Sequence, residues 1–332
     1  MSTPLLSVVM PVYNGAAYLG RAIESILCQT YGYYEFIIIN DGSTDESAAI
    51  IQEYDDSRIR YYEHSNRGLA ATLNRGIEMA KGKYLARQDQ DDISYPQRFE
   101  KQIAFLETHP EYGMVGSWAE IWIQDKKTRR THKHPSDNLT LKFDLLFNNP
   151  FVHSSMMLRK TVFDEIGLYA DDKSRQLPED YELWSRIARK FKVANIPEML
   201  LVYREVRGSI SRNGIDPLLD RAVGISGENL AWLLGATATE HEVTALAALM
   251  NGRYHLLSTK PNLQQLSHLV MRAAETLSDV HLQPTEALRK RALMRLRLLK
   301  NHYLSYKYRR LSIVTTALSN IVRKLTGWGT VA

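Results

Sequence analysis

The chain has 332 residues, of which 44% are hydrophobic, 24% charged and 9% aromatic, with a net charge of +5. At ~150 residues per domain this predicts about two globular domains and excludes disordered, collagen-like and disulfide-scaffold classes. A lone cysteine, Cys28, excludes an intrachain disulfide and a cysteine-based zinc site, and fits a reducing compartment.

In chain order, Leu5–Tyr13 is a β-branched run closed by Asn14-Gly15, and Ala17–Gln29 carries apolar residues at helical spacing. That helix is expected to hold Cys28 in its core face. Glu35–Asn40 is continuously apolar up to its last residue, as in a strand buried on both faces. It stops at Asp41-Gly42-Ser43-Thr44-Asp45, whose polar residues suit a helix N-cap, Asp45 above all. Glu46–Tyr54 follows as a helix, Arg58–Glu63 as a strand, Gly68–Ala80 as a helix and Lys83–Gln88 as a strand. This βα rhythm predicts a mostly parallel sheet with helices on both faces.

Beyond Pro96 the rhythm changes. A helix is expected over Gln97–Thr108, a strand over Met114–Ile123, a helix over Asp137–Phe147 and a strand over His153–Leu158. Leu177–Asp180 precedes a helix over Tyr181–Phe191, and Val193–Arg204 is extended. From about Pro217 onward only helices are expected. The N-terminal segment lacks the basic region and long apolar core of a signal peptide, and no apolar run approaches a membrane span.

Charge is unevenly spread. Thr285–Lys324 holds 11 Lys and Arg against one acid, a net of +10, while the remainder nets −5. Leu288, Ala292, Leu296, Leu299 and Tyr303 recur at helical spacing, with Arg289, Arg291, Arg295 and Lys300 around them. Such a helix packs on the body through its apolar stripe, lies on an anionic membrane surface or binds nucleic acid, and of these nucleic acid is not expected as a partner.

Polar groups cluster at strand ends: Asn14 after the first strand, Asp41 after the second, and Asp89, Asp91 and Asp92 after the fourth. In an open α/β sheet those edges converge on one crevice. An Asp-x-Asp pair there suits a hard cation such as Mg²⁺ or Mn²⁺, which takes carboxylates together with substrate phosphates. No GxGxxG follows the first strand, and no GxxxxGK[ST] is present.

Six segments, Ser7–Asn14, Ser25–Tyr31, Ile39–Ser47, Asn66–Gly76, Ala80–Pro96 and Pro178–Trp184, together resemble the family 2 glycosyltransferases of GT-A fold. The resemblance spans residues 7 to about 211. It implies a Rossmann-like GT-A domain, with a nucleotide-sugar-binding half over 1–110 and an acceptor-binding half over 111–215. Residues 216–332 would form a helical region ending in the basic tail. The implied reaction is inverting transfer of a sugar from a nucleoside diphosphate sugar, UDP foremost, to an acceptor hydroxyl in surface polysaccharide or lipopolysaccharide synthesis. The implied setting is cytoplasmic, at or near the inner membrane face. By this resemblance Pro11, Tyr13 and Asn14 would line the nucleotide site and Asp41 would hold base or ribose. Asn66, Arg67 and Gly68 would lie beside the nucleotide, and Arg87 would pair with phosphate or with the acids. Asp91, with Asp89 assisting, would hold the metal, and Asp180 would be the general base, preferred over Glu179. Val206 stands where many members carry His and cannot ligate, so Arg204 or Arg207 would serve phosphate instead. His153 suits either the acceptor site or a structural hydrogen bond. The rival functions are a nucleotidyltransferase and an inactive GT-A-fold scaffold at the membrane.

Overall fold

Alternating apolar runs and amphipathic segments produce β1 (Leu6–Val12), α1 (Ala16–Leu27), β2 (Tyr34–Asn40), α2 (Ser47–Gln52), β3 (Ile59–Glu63), α3 (Leu69–Met79) and β4 (Tyr84–Arg87). The computed structural model describes residues 4–170, 172, 178–206, 215–235, 239–278 and 285–326. Every residue of β1, β2 and β4 is buried, because helices cover both faces of the sheet. Side-chain alternation divides the core in two. Leu6, Val8, Met10, Phe36 and Ile38 pack with α1 residues, Phe99 and Ile103 on one side, while Val9, Ile37 and Ile39 pack with α3 residues, Leu183 and Trp184 on the other.

The chain continues as β5 (Ile93–Ser94), α4 (Arg98–Thr108), β6 (Tyr112–Ile123), β7 (Lys126–His132), α5 (Asn138–Leu145), β8 (Met157–Arg159), α6 (Val162–Ile166), α7 (Glu179–Lys190) and β9 (Lys192–Glu205). The sheet order is β3-β2-β1-β4-β8-β6-β9-β5, with β7 paired to β6. The β1–β2, β1–β4 and β2–β3 pairs are parallel. The carboxyl ends of β1, β2 and β4 therefore lie side by side, as the strand-end argument requires. On the other half, β8 runs antiparallel to β4 and β6, and β9 runs parallel to β6.

Three local expectations are corrected, and one strand is added that the sequence analysis did not assign. His153–Ser155 is a 3-10 turn and only Met157–Arg159 is strand, since Ser155 turns its hydroxyl onto Val152 O. Helix α7 starts at Glu179 rather than Tyr181, which puts Glu179 and Asp180 inside its first turn. Lys126–His132, too charged to read as a strand, pairs with β6 as an exposed edge. Cys28 is exposed rather than in the core, because α1 ends there.

By internal contacts the chain divides into Met1–Ile225 and Ser226–Ala332, with α8 (Ile215–Leu234) spanning the division. The second unit adds α9 (Glu240–Met250), α10 (Leu263–Leu277) and α11 (Glu286–Thr326). A Thr239–Glu242 capping box starts α9, and the Asn262 side chain accepts from the Gln264 and Gln265 amides at the start of α10. The apolar stripe of α11 packs inward: Leu288, Ala292 and Leu299 are fully buried and Arg295 shares that face. The His302 ring lies 3.0 Å (Nδ1) from the Tyr254 hydroxyl. Among the described residues no helix is long and apolar enough to cross a membrane.

Candidate active site

Three loops at the strand ends are tied together by side chains the sequence singled out. Asn14 sits at a positive φ of 49°. Its amide donates to Ser43 Oγ at 3.0 Å and its Oδ1 accepts from Thr44 N at 2.8 Å, fastening the β1 loop to the β2 loop. Asp45 accepts from Ala16 N and Ser47 N, both at 3.0 Å, so one carboxylate serves the first amides of α1 and α2. Gly42 has φ +73°, and a Cβ there would meet Asn66 N at 2.7 Å; only glycine lets the third loop approach so closely. Tyr13 is exposed and clamped through its backbone by Gln90 at 2.7 and 3.0 Å. Pro11 is buried in β1, and the β1–β4 ladder stops at Val9, before the ring could cost it a donor.

Asp41 is buried, and both of its oxygens are engaged. They accept from Arg67 N at 2.7 Å and Gly68 N at 3.0 Å, and His64 Nε2 stands 3.1 Å from Oδ1. The carboxylate thus shapes the Asn66-Arg67-Gly68 loop, where Asn66 and Arg67 are exposed.

The acid turn after β4 is gripped from behind by two buried arginines. Arg98 donates to Gln88 Oε1, Ser94 Oγ, Arg87 O and Met156 O at 2.8–3.1 Å. With no carboxylate in contact, its burial pushes the pKa down to about 9. Arg204 donates through Nε to Asp91 O at 2.7 Å and its amide to Asp92 Oδ1 at 2.8 Å, and its Nη1 reaches Gln124 O and Asp125. These bonds tie Arg204 to the turn, while its Nη2 has no hydrogen-bond partner among the described residues. Arg207 lies outside the described residues.

In front of that scaffold Arg87 is buried and pairs with Asp89 Oδ1 at 2.5 Å, and Ser154 Oγ donates to Asp89 Oδ2 at 2.5 Å. Burial opposes the Asp89 charge, but Arg87 and Ser154 outweigh it and lower the pKa. Asp91 differs. No other residue's hydrogen bond or ion pair, among those described, engages its carboxylate. Burial and the Asp89 charge push it up to about 7. A partly exposed carboxylate held beside another anion, with its backbone clamped, fits a hard divalent cation. Mg²⁺ commonly takes one or two carboxylates and completes its shell with phosphate oxygens and water. Among the described residues no three His, Cys, Asp or Glu converge as a metal set.

The second acid pair opens α7. Asp180 Oδ2 accepts from Asn149 Nδ2 at 2.7 Å and Oδ1 from Tyr181 N at 2.7 Å. Burial first, with the Asp89 charge adding to it, raises its pKa to about 6. Glu179 is more deeply buried, and burial and Asp180 raise it to about 8. Its Oε1 lies 3.7 Å from His153 Nδ1, and His153 Nε2 meets the Tyr169 hydroxyl at 2.8 Å. Burial and the nearby Arg87 charge lower the His153 pKa to about 3, which keeps the ring neutral. Of its two expected roles, the geometry favours the structural one. Trp118 and Trp122 spend their indole donors on His134 O and Glu120 Oε2.

The sequence reading missed Asn149, Ser154, Tyr169 and Arg98. Only Arg98 had a local signal, a cation on the inward face of an amphipathic helix.

Comparison with known proteins agrees with this arrangement. The family model "Glycosyl transferase family 2" matches residues 7–167. The chain is 34% identical over 229 residues to EpsE of Bacillus subtilis, which carries a glycosyltransferase assignment; the match covers 67% of this chain and 81% of that protein. It is 33% identical over 264 residues to an uncharacterized glycosyltransferase of Haemophilus influenzae, covering 76% and 81%. Among solved structures, S. aureus TarS 1-349 in complex with UDP-GlcNAc superposes with a TM-score of 0.58 at 14% identity, over 91% of each chain. Mannosyltransferase PcManGT from Pyrobaculum calidifontis, in complex with GDP-Man and Mn²⁺, gives 0.54 at 15% identity over 92% and 88%. These two likenesses concern the fold, whereas the family model spans the strand ends that carry Asp41, Asp89 and Asp91 and ends before Asp180, and the sequence relatives carry the family. On that ground the chain belongs to glycosyltransferase family 2.

Proposed function

We propose that this glycosyltransferase transfers a sugar, with inversion, from a nucleoside diphosphate sugar to an acceptor hydroxyl, with Asp180 as the general base. The observation that carries this reading is the geometry of Asp180, whose two oxygens are held by Asn149 Nδ2 and Tyr181 N at 2.7 Å in the first turn of α7. Burial raises both acids of this pair above the usual carboxylate range. A base works best with a pKa near the working pH. The Asn149 hydrogen bond at 2.7 Å orients the Asp180 carboxylate, and its place in the first turn of a helix favours the charged form.

Direct displacement at the anomeric carbon needs base and leaving group on opposite sides of the sugar. Asp180 on α7 and the acid turn after β4 suit those two sides. Asp180 takes the acceptor proton as the hydroxyl attacks, and the nucleoside diphosphate leaves toward Asp89 and Asp91. Asp91, with Asp89 beside it, would hold Mg²⁺ or Mn²⁺, which when bound neutralises diphosphate charge. Arg87 supplies a fixed positive charge among these acids. The loops carrying Pro11, Tyr13, Asn14, Asp41, Asn66, Arg67 and Gly68 would receive the nucleotide.

UDP is the nucleotide we favour, supported by the likeness to S. aureus TarS, which binds UDP-GlcNAc. The Mn²⁺ in PcManGT supports the metal. The acceptor we favour is a saccharide or lipid-linked saccharide of surface polysaccharide or lipopolysaccharide synthesis, handled on the cytoplasmic side. The test is release of free nucleoside diphosphate from a panel of nucleotide sugars, with and without Mn²⁺. Metal-stimulated release from one UDP-sugar is expected. Metal-independent release, or pyrophosphate release from a nucleoside triphosphate, would overturn the reading.

A further inference from the structure

Helix α11 has two faces, and the one that matters for binding is not the apolar stripe. That stripe, Leu288, Ala292 and Leu299, is consumed by packing within the second unit. The opposite face, over an arc of roughly half the helix, carries a second set of apolar residues. Leu293 is 47% exposed, Met294 56%, Leu304 39% and Tyr308 68%. Among them stand the exposed cations Arg289, Lys290, Arg297, Lys300 and Lys307. Only Glu286 opposes them, paired to Lys290 at 2.6 Å. From Arg289 to Tyr308 the face runs about 30 Å along the helix at ~1.5 Å per residue.

We propose that this solvent face of α11 seats the protein on an anionic lipid surface. The charge argument selects the occupant. A second copy of the chain meeting this face about a two-fold axis would set its cations, Arg297 and Lys300 among them, against the cations of the other copy. A nucleic acid would use the cations but leave Leu293 and Leu304 in water. A bilayer rich in anionic headgroups uses both: cations meet phosphate, and the leucines, Met294 and Tyr308 enter the headgroup–acyl boundary. The Lys and Arg stems can lie along the apolar surface with their charges in the headgroup layer. This inference is independent of the catalytic reading, since it concerns another unit and a binding readout.

Truncation is a poor test, because removing α11 would uncover the core that Leu288, Ala292 and Leu299 close. The full-length chain is floated with vesicles of phosphatidylcholine alone and of phosphatidylcholine mixed with phosphatidylglycerol. Binding to the mixed vesicles only, weakened by salt, is expected. Arg297→Glu/Lys300→Glu/Lys307→Glu is expected to lower the bound fraction at least ~10-fold. Leu293→Ser/Leu304→Ser should also weaken binding while leaving its salt dependence in place. Both variants change exposed side chains, so the melting temperature should stay at the parent value. No binding to either vesicle, equal binding to both, or unchanged binding by the charge-reversal variant would overturn the proposal. So would a dimer that Leu293→Ser/Leu304→Ser dissolves, which would assign the face to a second copy.

Discussion

The ends of β2 and β4 present the same residue type in two different states. At β2, Asp41 is buried and both its oxygens accept backbone amides from the loop before α3. At β4, Asp91 sits on a turn clamped by Arg98 and Arg204, yet among the described residues no neighbouring donor meets its carboxylate. The first carboxylate has been spent on folding a loop, whereas the second is held ready for something outside the chain. A strand-end aspartate is thus a ligand candidate only when the fold leaves its oxygens without protein donors. Asp180 lies between these extremes, with one side-chain donor, Asn149, and a helix N-terminus behind it.

This contrast can be broken most sharply at Asp180. Asp180→Asn should lower transfer by ~10²-fold or more, as expected for loss of a positioned base, with donor affinity unchanged. If donor binding fell and bound donor still reacted at the parent rate, Asp180 would join Asp41 as a structural acid. Asp91→Asn should abolish the Mn²⁺ stimulation of turnover and leave the melting temperature at the parent value, because the side chain supports nothing else. A large loss of stability there would erase the distinction between the two strand ends.

Asp41→Ala should do the reverse. It strands two amides that now donate to a carboxylate, so unfolding free energy should drop by about 1–3 kcal/mol. Donor affinity should fall with the misplaced Asn66–Gly68 loop. Denaturant melts and donor titrations would show both. The smallest effect concerns protonation. Asp180 must be ionised to accept a proton, so transfer should rise with pH through about 6. Asn149 stabilises the ionised form. Asn149→Ala should therefore move this acid limb to higher pH. A pH–rate profile of parent and variant checks the sign: a limb that stays put or moves down would remove Asn149 as the group that tunes the base.

Periodicity and turn chemistry were enough to write out β1 to β4 with their helices. Three of those strands, β1, β2 and β4, are specified by their own residues: mostly apolar runs buried on both faces, separated by polar breaks. Asp41, Asp89 and Asp91 were legible for the same reason, since they stand at the ends of those local patterns, whereas Asp180 was singled out by the family resemblance. Which acid is free was not legible. Asp41 is satisfied from 26 and 27 positions away, Asp89 from Ser154, and the acid turn by Arg204 from β9. Donors at such separations are chosen by packing, which no local pattern encodes. The tail shows the same division. Its amphipathic spacing and its +10 charge are plain in the sequence. That the apolar stripe is already covered, leaving a mixed face of leucines and cations in solvent, was decided by α9 and α10, because a helix buries whichever stripe its neighbours can fill.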